Sequence, residues 1–137
     1  MISDIQGIQN FFKNDAFAAN MGIVIESADE DSSLCRVDIT PEMLNAGGTV
    51  QGGATFTLAD FAFAVSSNST GWLVVSQSNN ITYISPPKGK VLYAHAKKIS
   101  MGRKTCLYEV LVYDDAGTDV AHMTVNGFIT GKKLDFE

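Results

Sequence analysis

Apolar residues recur along this chain with two different periods, and the changes of period divide it into elements. Near the N-terminus Ile5, Ile8 and Phe12 share one helical face behind a Ser3–Gln6 capping pattern. This predicts a short amphipathic helix over about 4–15. From Met21 to Met43 apolar and polar positions alternate around a polar turn at Asp29 to Ser33, the pattern of a two-stranded hairpin closed by Pro41. The alternation then stops. Between Gly53 and Ser67, Ala54, Leu58, Phe61 and Val65 fall on one helical face, while Phe56, Ala59 and Phe63 fall on others. A helix that is apolar on all sides is a buried one. "SSNSTG" ends it, and four long strand-like runs follow, 72–87, 91–100, 104–115 and 119–130. Their short connections predict an antiparallel meander.

The expected fold is therefore α+β. An antiparallel sheet of about six strands wraps around one long buried helix, with a short helix at the N-terminus. No linker, repeat or low-complexity tract interrupts residues 1–137, which read as a single domain. One sheet cannot cover every apolar side of the helix, so a partner subunit is expected.

Composition narrows the function classes. The 137 residues are 45% hydrophobic and carry a net charge of −5, which argues against a general nucleic-acid surface. No apolar run approaches the ~20 residues of a membrane span. The N-terminus has an early acid and no basic stretch followed by an apolar one, so no signal peptide is expected and the location reads as cytoplasmic. Cys35 and Cys106 stand far apart in apolar surroundings and read as buried thiols. No clustered His or Cys spacing suggests a metal. The cations are uneven: Lys88, Lys90, Lys97, Lys98, Arg103 and Lys104 crowd one segment, and either solvated turns or a local anion site would account for them.

One residue stands out. Between Glu42 and Lys88 only Asp60 is charged, and it lies in the apolar helix with Phe56, Thr57, Phe63 and Ala64 at three- and four-residue spacing. Desolvation there raises a carboxyl's pKa unless donors compensate, which suits a base or nucleophile; a structural Asp bonded to a nearby hydroxyl is the plainer reading. Gly52 and Gly53 stand where the helix begins. Its first-turn amides lack helical partners and carry the positive end of the dipole, so a substrate carbonyl could approach them as in an oxyanion hole. A tight turn alone would also explain the glycines. Seven residues, about 10 Å of helical rise, separate Gly53 from Asp60. Joint action on one carbonyl would need two antiparallel copies of the helix, one amide facing the other copy's carboxylate.

The stretch "NAGGTVQGGATFTLADFAFA" resembles the core motif of the hotdog-fold acyl-CoA thioesterases, in their PaaI-like branch. Asn45, Gly52, Gly53 and Asp60 match that motif. The later segment with Asn-Ile-x-Tyr-x-x-Pro and a Gly-Arg turn is similar to the family's last strands, so the resemblance runs from about Met21 to Thr130. It implies Asp60 as nucleophile or as the base that activates water. It also implies the Gly53 amide as oxyanion donor, Gly52 as the opening beside it, and Asn45 as an aid to placing thioester or water. Ser76 would stand near the carboxylate, and Arg103 and Lys104 near the phosphates of coenzyme A, where such cations are suited to the charge. Gln51 departs from the family's His; it forms hydrogen bonds but shuttles no proton near neutrality. His95 and His122 lie on strands and are no obvious substitutes.

The expected activity is hydrolysis of an acyl-CoA thioester to acid and free thiol, without a cofactor, because coenzyme A is part of the substrate. Phe56, Phe61 and Phe63 would line an apolar acyl pocket. The expected assembly is a homodimer, and by resemblance a dimer of dimers, a homotetramer. A non-catalytic acyl-CoA binding or sensing protein is the alternative, with Gln51 as its mark. A hydratase lacks its paired Asp and His here.

Overall fold

The structure, a computed structural model, describes residues 5–136. Helix α1 (Ile5–Phe12) is followed by a second short helix, α2 (Ala16–Met21), where the sequence pattern predicts one helix and then strand. The division is local. The Asp15 carboxylate accepts the Ala18 N–H at 3.0 Å as an N-cap, and Gly22 closes the turn at φ 84°. The expected Ser3 cap lies outside the described residues.

The hairpin of β1 (Val24–Ala28) and β2 (Ser32–Asp38) forms as expected. Then come α3 (Gly52–Asn68), β3 (Trp72–Tyr83), β4 (Val91–Met101), β5 (Thr105–Asp114) and β6 (Asp119–Lys133). All six strands form one antiparallel sheet in the order β1-β2-β4-β5-β6-β3. This is the expected architecture, with α3 packed across the sheet. The expected four-strand meander, however, holds only for β4, β5 and β6. β4 pairs with β2 and β5, and β3 lies at the far edge beside β6. The physical reason is α3, which leaves the β2 side of the sheet and delivers the chain to the opposite edge. The return through Ile84–Lys90 crosses three strand spacings, about 14 Å, within reach of seven extended residues. Pro86 and Pro87 suit such a path and disfavour a tight hairpin.

The core lies between α3 and the sheet. Leu58, Ala59, Ala62, Phe63 and Val65 meet Leu92, Val110, Val112, Met123 and Val125 there, all buried. Phe63 packs edge-on to Tyr108, with ring centroids 5.4 Å apart. It fits because Gly127 lacks a side chain; a Cβ there would lie 2.8 Å from the Phe63 ring. Asn68 locks the end of α3 to β3, donating to the Val74 carbonyl while accepting the Val74 N–H at 2.8 Å. Both cysteines are free and buried; burial pushes the Cys35 thiol up to about 12, so it is unreactive.

Candidate active site

α3 is less completely covered than its composition predicts. Gly53, Phe56, Thr57, Asp60 and Ala64 keep solvent exposure, and they form one stripe along the helix at three- and four-residue spacing. The sheet covers most of the rest of the helix, and Phe12 of α1 covers Phe61. The single carboxylate of α3 therefore lies on the single side that this chain leaves open.

β3 completes the setting of Asp60. Asn79 donates its side-chain N–H to Oδ1 at 3.0 Å, and the Ser76 side chain stands near enough to favour the charged form as well. Burial nevertheless pushes the Asp60 carboxyl above the ordinary carboxylate range, and the nearby Asp15 charge adds to the rise against those two donors. The group is half-buried, poised and open to a ligand on the stripe. Ser76 is thus brought to Asp60 as the resemblance implied. Asn79 had not been singled out. Its only sequence signal was its position on the same strand, three residues after Ser76.

The start of α3 is built by three side chains. Gln51 is its N-cap, and the Gln51 Oε1 accepts the Gly53 N–H at 2.6 Å. Tyr83 donates its hydroxyl to the Gly52 carbonyl at 3.0 Å. Its ring fills the space beside Gly52, where a Cβ would come within 3.1 Å of Cζ. Gly52 was expected to give a substrate access; within this chain Tyr83 occupies that space. Tyr83 is the Tyr of the Asn-Ile-x-Tyr-x-x-Pro segment, which carries no role in the sequence; its place beside Gly52 comes from the fold. Asn45 uses its side-chain oxygen on the N–H groups of Gly47 (2.9 Å) and Thr49 (3.2 Å). Its Nδ2 has no partner among the described residues. An apolar cavity of about 400 Å³ opens beside this helix start, lined by Val50, Gly52, Tyr83, Ile84 and Pro86.

The remaining candidates lie apart from one another. Phe56 is on the open stripe. Phe61 is 6% exposed and packs on Phe12, and Phe63 is 1% exposed against Tyr108. Phe63 is thus a core residue and not a wall of a substrate pocket; its side of α3 faces the sheet. Arg103 and Lys104 sit on the exposed β4–β5 turn. They border a cavity of about 590 Å³ shared with Trp72, Met101 and Phe128. Lys133 lies 5.4 Å from the centroid of the Trp72 ring, which adds a third cation nearby. His95 is on β4, and His122 on β6 lies 3.1 Å from Glu109; neither joins Asp60. Among the described residues no cluster of His, Cys, Asp and Glu could hold a metal ion. No helix among them is long and apolar enough to cross a membrane.

The family model described as Thioesterase superfamily matches residues 47–121, which contain α3, Asp60 and β3. The acyl-coenzyme A thioesterase PaaI of Escherichia coli K12 is 32% identical over 133 residues, covering 93% of this chain and 95% of that protein. The structure of the E. coli PaaI protein superposes with a TM-score of 0.89 at 30% identity, covering 95% of both chains. A hypothetical thioesterase protein of Streptococcus pneumoniae TIGR4, solved with coenzyme A, gives 0.84 at 27% identity, covering 92% of this chain and 99% of that one. A Streptococcus mutans UA159 protein bound to acetyl CoA gives 0.77 at 27% identity, covering 82% and 91%.

Proposed function

This chain belongs to the thioesterase superfamily, and from that premise we propose that it hydrolyses acyl-CoA thioesters through Asp60. The observation that carries the reading is the carboxylate itself. Burial raises it above its ordinary range against the opposing pull of Asn79 and Ser76, and it lies on the open stripe of α3. A structural Asp in the core would be sealed; this one can reach a ligand. Whether Asp60 attacks the thioester carbon or activates water, it acts in its ionised form. The Gly53 N–H is the proposed donor to the thioester oxygen, where charge develops as the tetrahedral intermediate forms. Asn45, whose Nδ2 has no partner among the described residues, is the proposed aid in holding thioester or water.

Asp60 and Gly53 lie too far apart on one helix for a single carbonyl. The site we propose therefore joins Gly53 of one subunit to Asp60 of the partner subunit, with the two copies of α3 antiparallel. Two features support a second copy. The Asp60 stripe is uncovered, and β3 is a long edge strand without proline or charge, the type of edge that readily pairs with another strand. The cavity beside Gly52 has a volume suited to an aryl or short acyl group. The basic cavity at Arg103 and Lys104 suits the phosphates of coenzyme A.

Acyl-CoA binding without turnover is the second reading. One observation favours it: the Gly53 N–H is already occupied by Gln51. Release of free thiol from a panel of acyl-CoA esters separates the two, with sedimentation run on the same samples. Turnover by a dimer or larger species is expected. Binding without thiol release would favour the second reading, and an active monomer at micromolar concentration would exclude the shared site.

A further inference from the structure

Gln51 is an uncommon helix cap. Short side chains usually fill that position, yet here a longer one folds back so that its amide oxygen reaches the Gly53 N–H at 2.6 Å. An amide carbonyl and a thioester carbonyl present the same kind of acceptor, an sp² oxygen. Gln51 thus puts on the proposed oxyanion donor what a substrate would put there. Glycine at 53 makes this possible, because a Cβ at that position would lie 2.8 Å from Oε1. The surroundings differ in mobility. Gly52 is fastened by the Tyr83 hydroxyl and ring, whereas Gln51 is exposed and can turn away without disturbing the core.

We infer that Gln51 is a displaceable stand-in for the substrate carbonyl, closing the Gly53 donor in the free protein and leaving it when a thioester enters. The inference rests on the acyl-CoA hydrolase reading above. It makes Gln51 a positioning residue that acts through Gly53. Every substrate must compete with an internal acceptor, so Gln51 weakens binding and leaves the chemical step largely alone. It also removes the apparent conflict between an occupied donor and a hydrolase.

The test uses two variants and a ketone analogue of an acyl-CoA, in which a methylene replaces the thioester sulfur. Gln51→Met keeps the length and removes the carbonyl. It is expected to bind the analogue about three- to tenfold more tightly, the size of one exchanged neutral hydrogen bond. KM is expected to fall by the same factor with kcat nearly unchanged. Gln51→Glu supplies a stronger, charged acceptor to the helix N-terminus and is expected to raise KM at neutral pH. In the parent, the Gly53 amide proton resonance is expected to move both on Gln51→Met substitution and on analogue binding. Thiol release by the parent, with equal or weaker analogue binding by Gln51→Met, would overturn the stand-in role alone. A drop in kcat at constant KM would overturn it too, since Gln51 would then contact the reacting atoms. A parent that neither binds the analogue nor releases thiol would overturn the hydrolase reading, and this inference with it.

Discussion

Asp60 and Asp114 are both drawn out of solvent, yet their carboxyl groups shift in opposite directions. Asp114, at the end of β5, is 2% exposed. Burial alone would raise it, but backbone amides outweigh burial and hold it well below the usual carboxylate range. One oxygen accepts the N–H groups of Lys88 and Gly89 at 2.7 and 2.9 Å. The other accepts those of Ala116 and Thr118 at 3.0 and 2.7 Å. Asp60 is more exposed, but among the described residues its carboxylate is favoured by the side chains of Asn79 and Ser76 and by no backbone amide, and there burial wins. Donor count decides the direction, more than depth. The Asp114 turn is built to keep a charge for structure, whereas the Asp60 site leaves lone pairs unspent, which a base or nucleophile requires.

Removing each carboxylate separates these roles. Asp60→Asn keeps the shape and removes the base, so turnover is expected to fall at least ~100-fold, the usual size of a general-base effect. Stability is expected to move the other way. A carboxyl whose folded pKa is raised penalises the native state once ionised, so at neutral pH the variant is expected to melt no lower than the parent. That advantage disappears in acid, below the ordinary carboxylate value. Parent-like turnover in Asp60→Asn, measured by thiol release, would end the proposed mechanism.

Asp114→Asn is the mirror experiment. An NH₂ group would replace an oxygen facing two backbone donors, so the melting temperature is expected to drop by several degrees while turnover per folded molecule persists. Here the folded pKa is depressed. The parent's advantage is fully present above the ordinary carboxylate value and is lost as pH falls from there toward the folded value. Thermal melts of both proteins are expected to draw closer as pH falls from neutral through the ordinary carboxylate value toward the depressed folded one, with much of the gap still present at pH 3; a constant gap would mean the charge is not what stabilises the turn.

Asn79→Ala sharpens the comparison by taking one donor from the poorer site. The Asp60 carboxyl is expected to rise further, moving the acid limb of the pH–rate profile to higher pH with a smaller change at the plateau. An unmoved limb would show that Asn79 holds Met123 or the strand rather than the charge. The smallest effect is expected at the basic turn. Arg103→Ala should raise KM for CoA esters by a few-fold at low salt, and added salt should reduce that difference, since the turn is exposed and screened. A KM insensitive to both would return Arg103 to the solvated surface.

Local pattern carried much of this molecule. An unbroken apolar run between the glycine pair and the polar "SSNSTG" located α3 to within a residue at each end, Gly52–Asn68 against an expected 53–67, and the six strand segments were legible on either side of it. The lone charge between Glu42 and Lys88 marked Asp60 because an apolar helix makes any carboxylate conspicuous. Even Gln51 acts through a contact two residues away. Other features depended on topology. Asn79 meets Asp60 across 19 residues and Tyr83 meets Gly52 across 31. Both follow from β3 taking the far edge of the sheet, where short connections had suggested a place beside β4. Which sides of α3 are sealed was equally undecided in an all-apolar sequence. Phe63 and Phe56 look alike there, yet one is core and the other lies on the open stripe. Local propensity fixes an element by the neighbours along the chain. Strand order and helix rotation come from how whole surfaces pack, and they alone decided which residues gathered around the carboxylate.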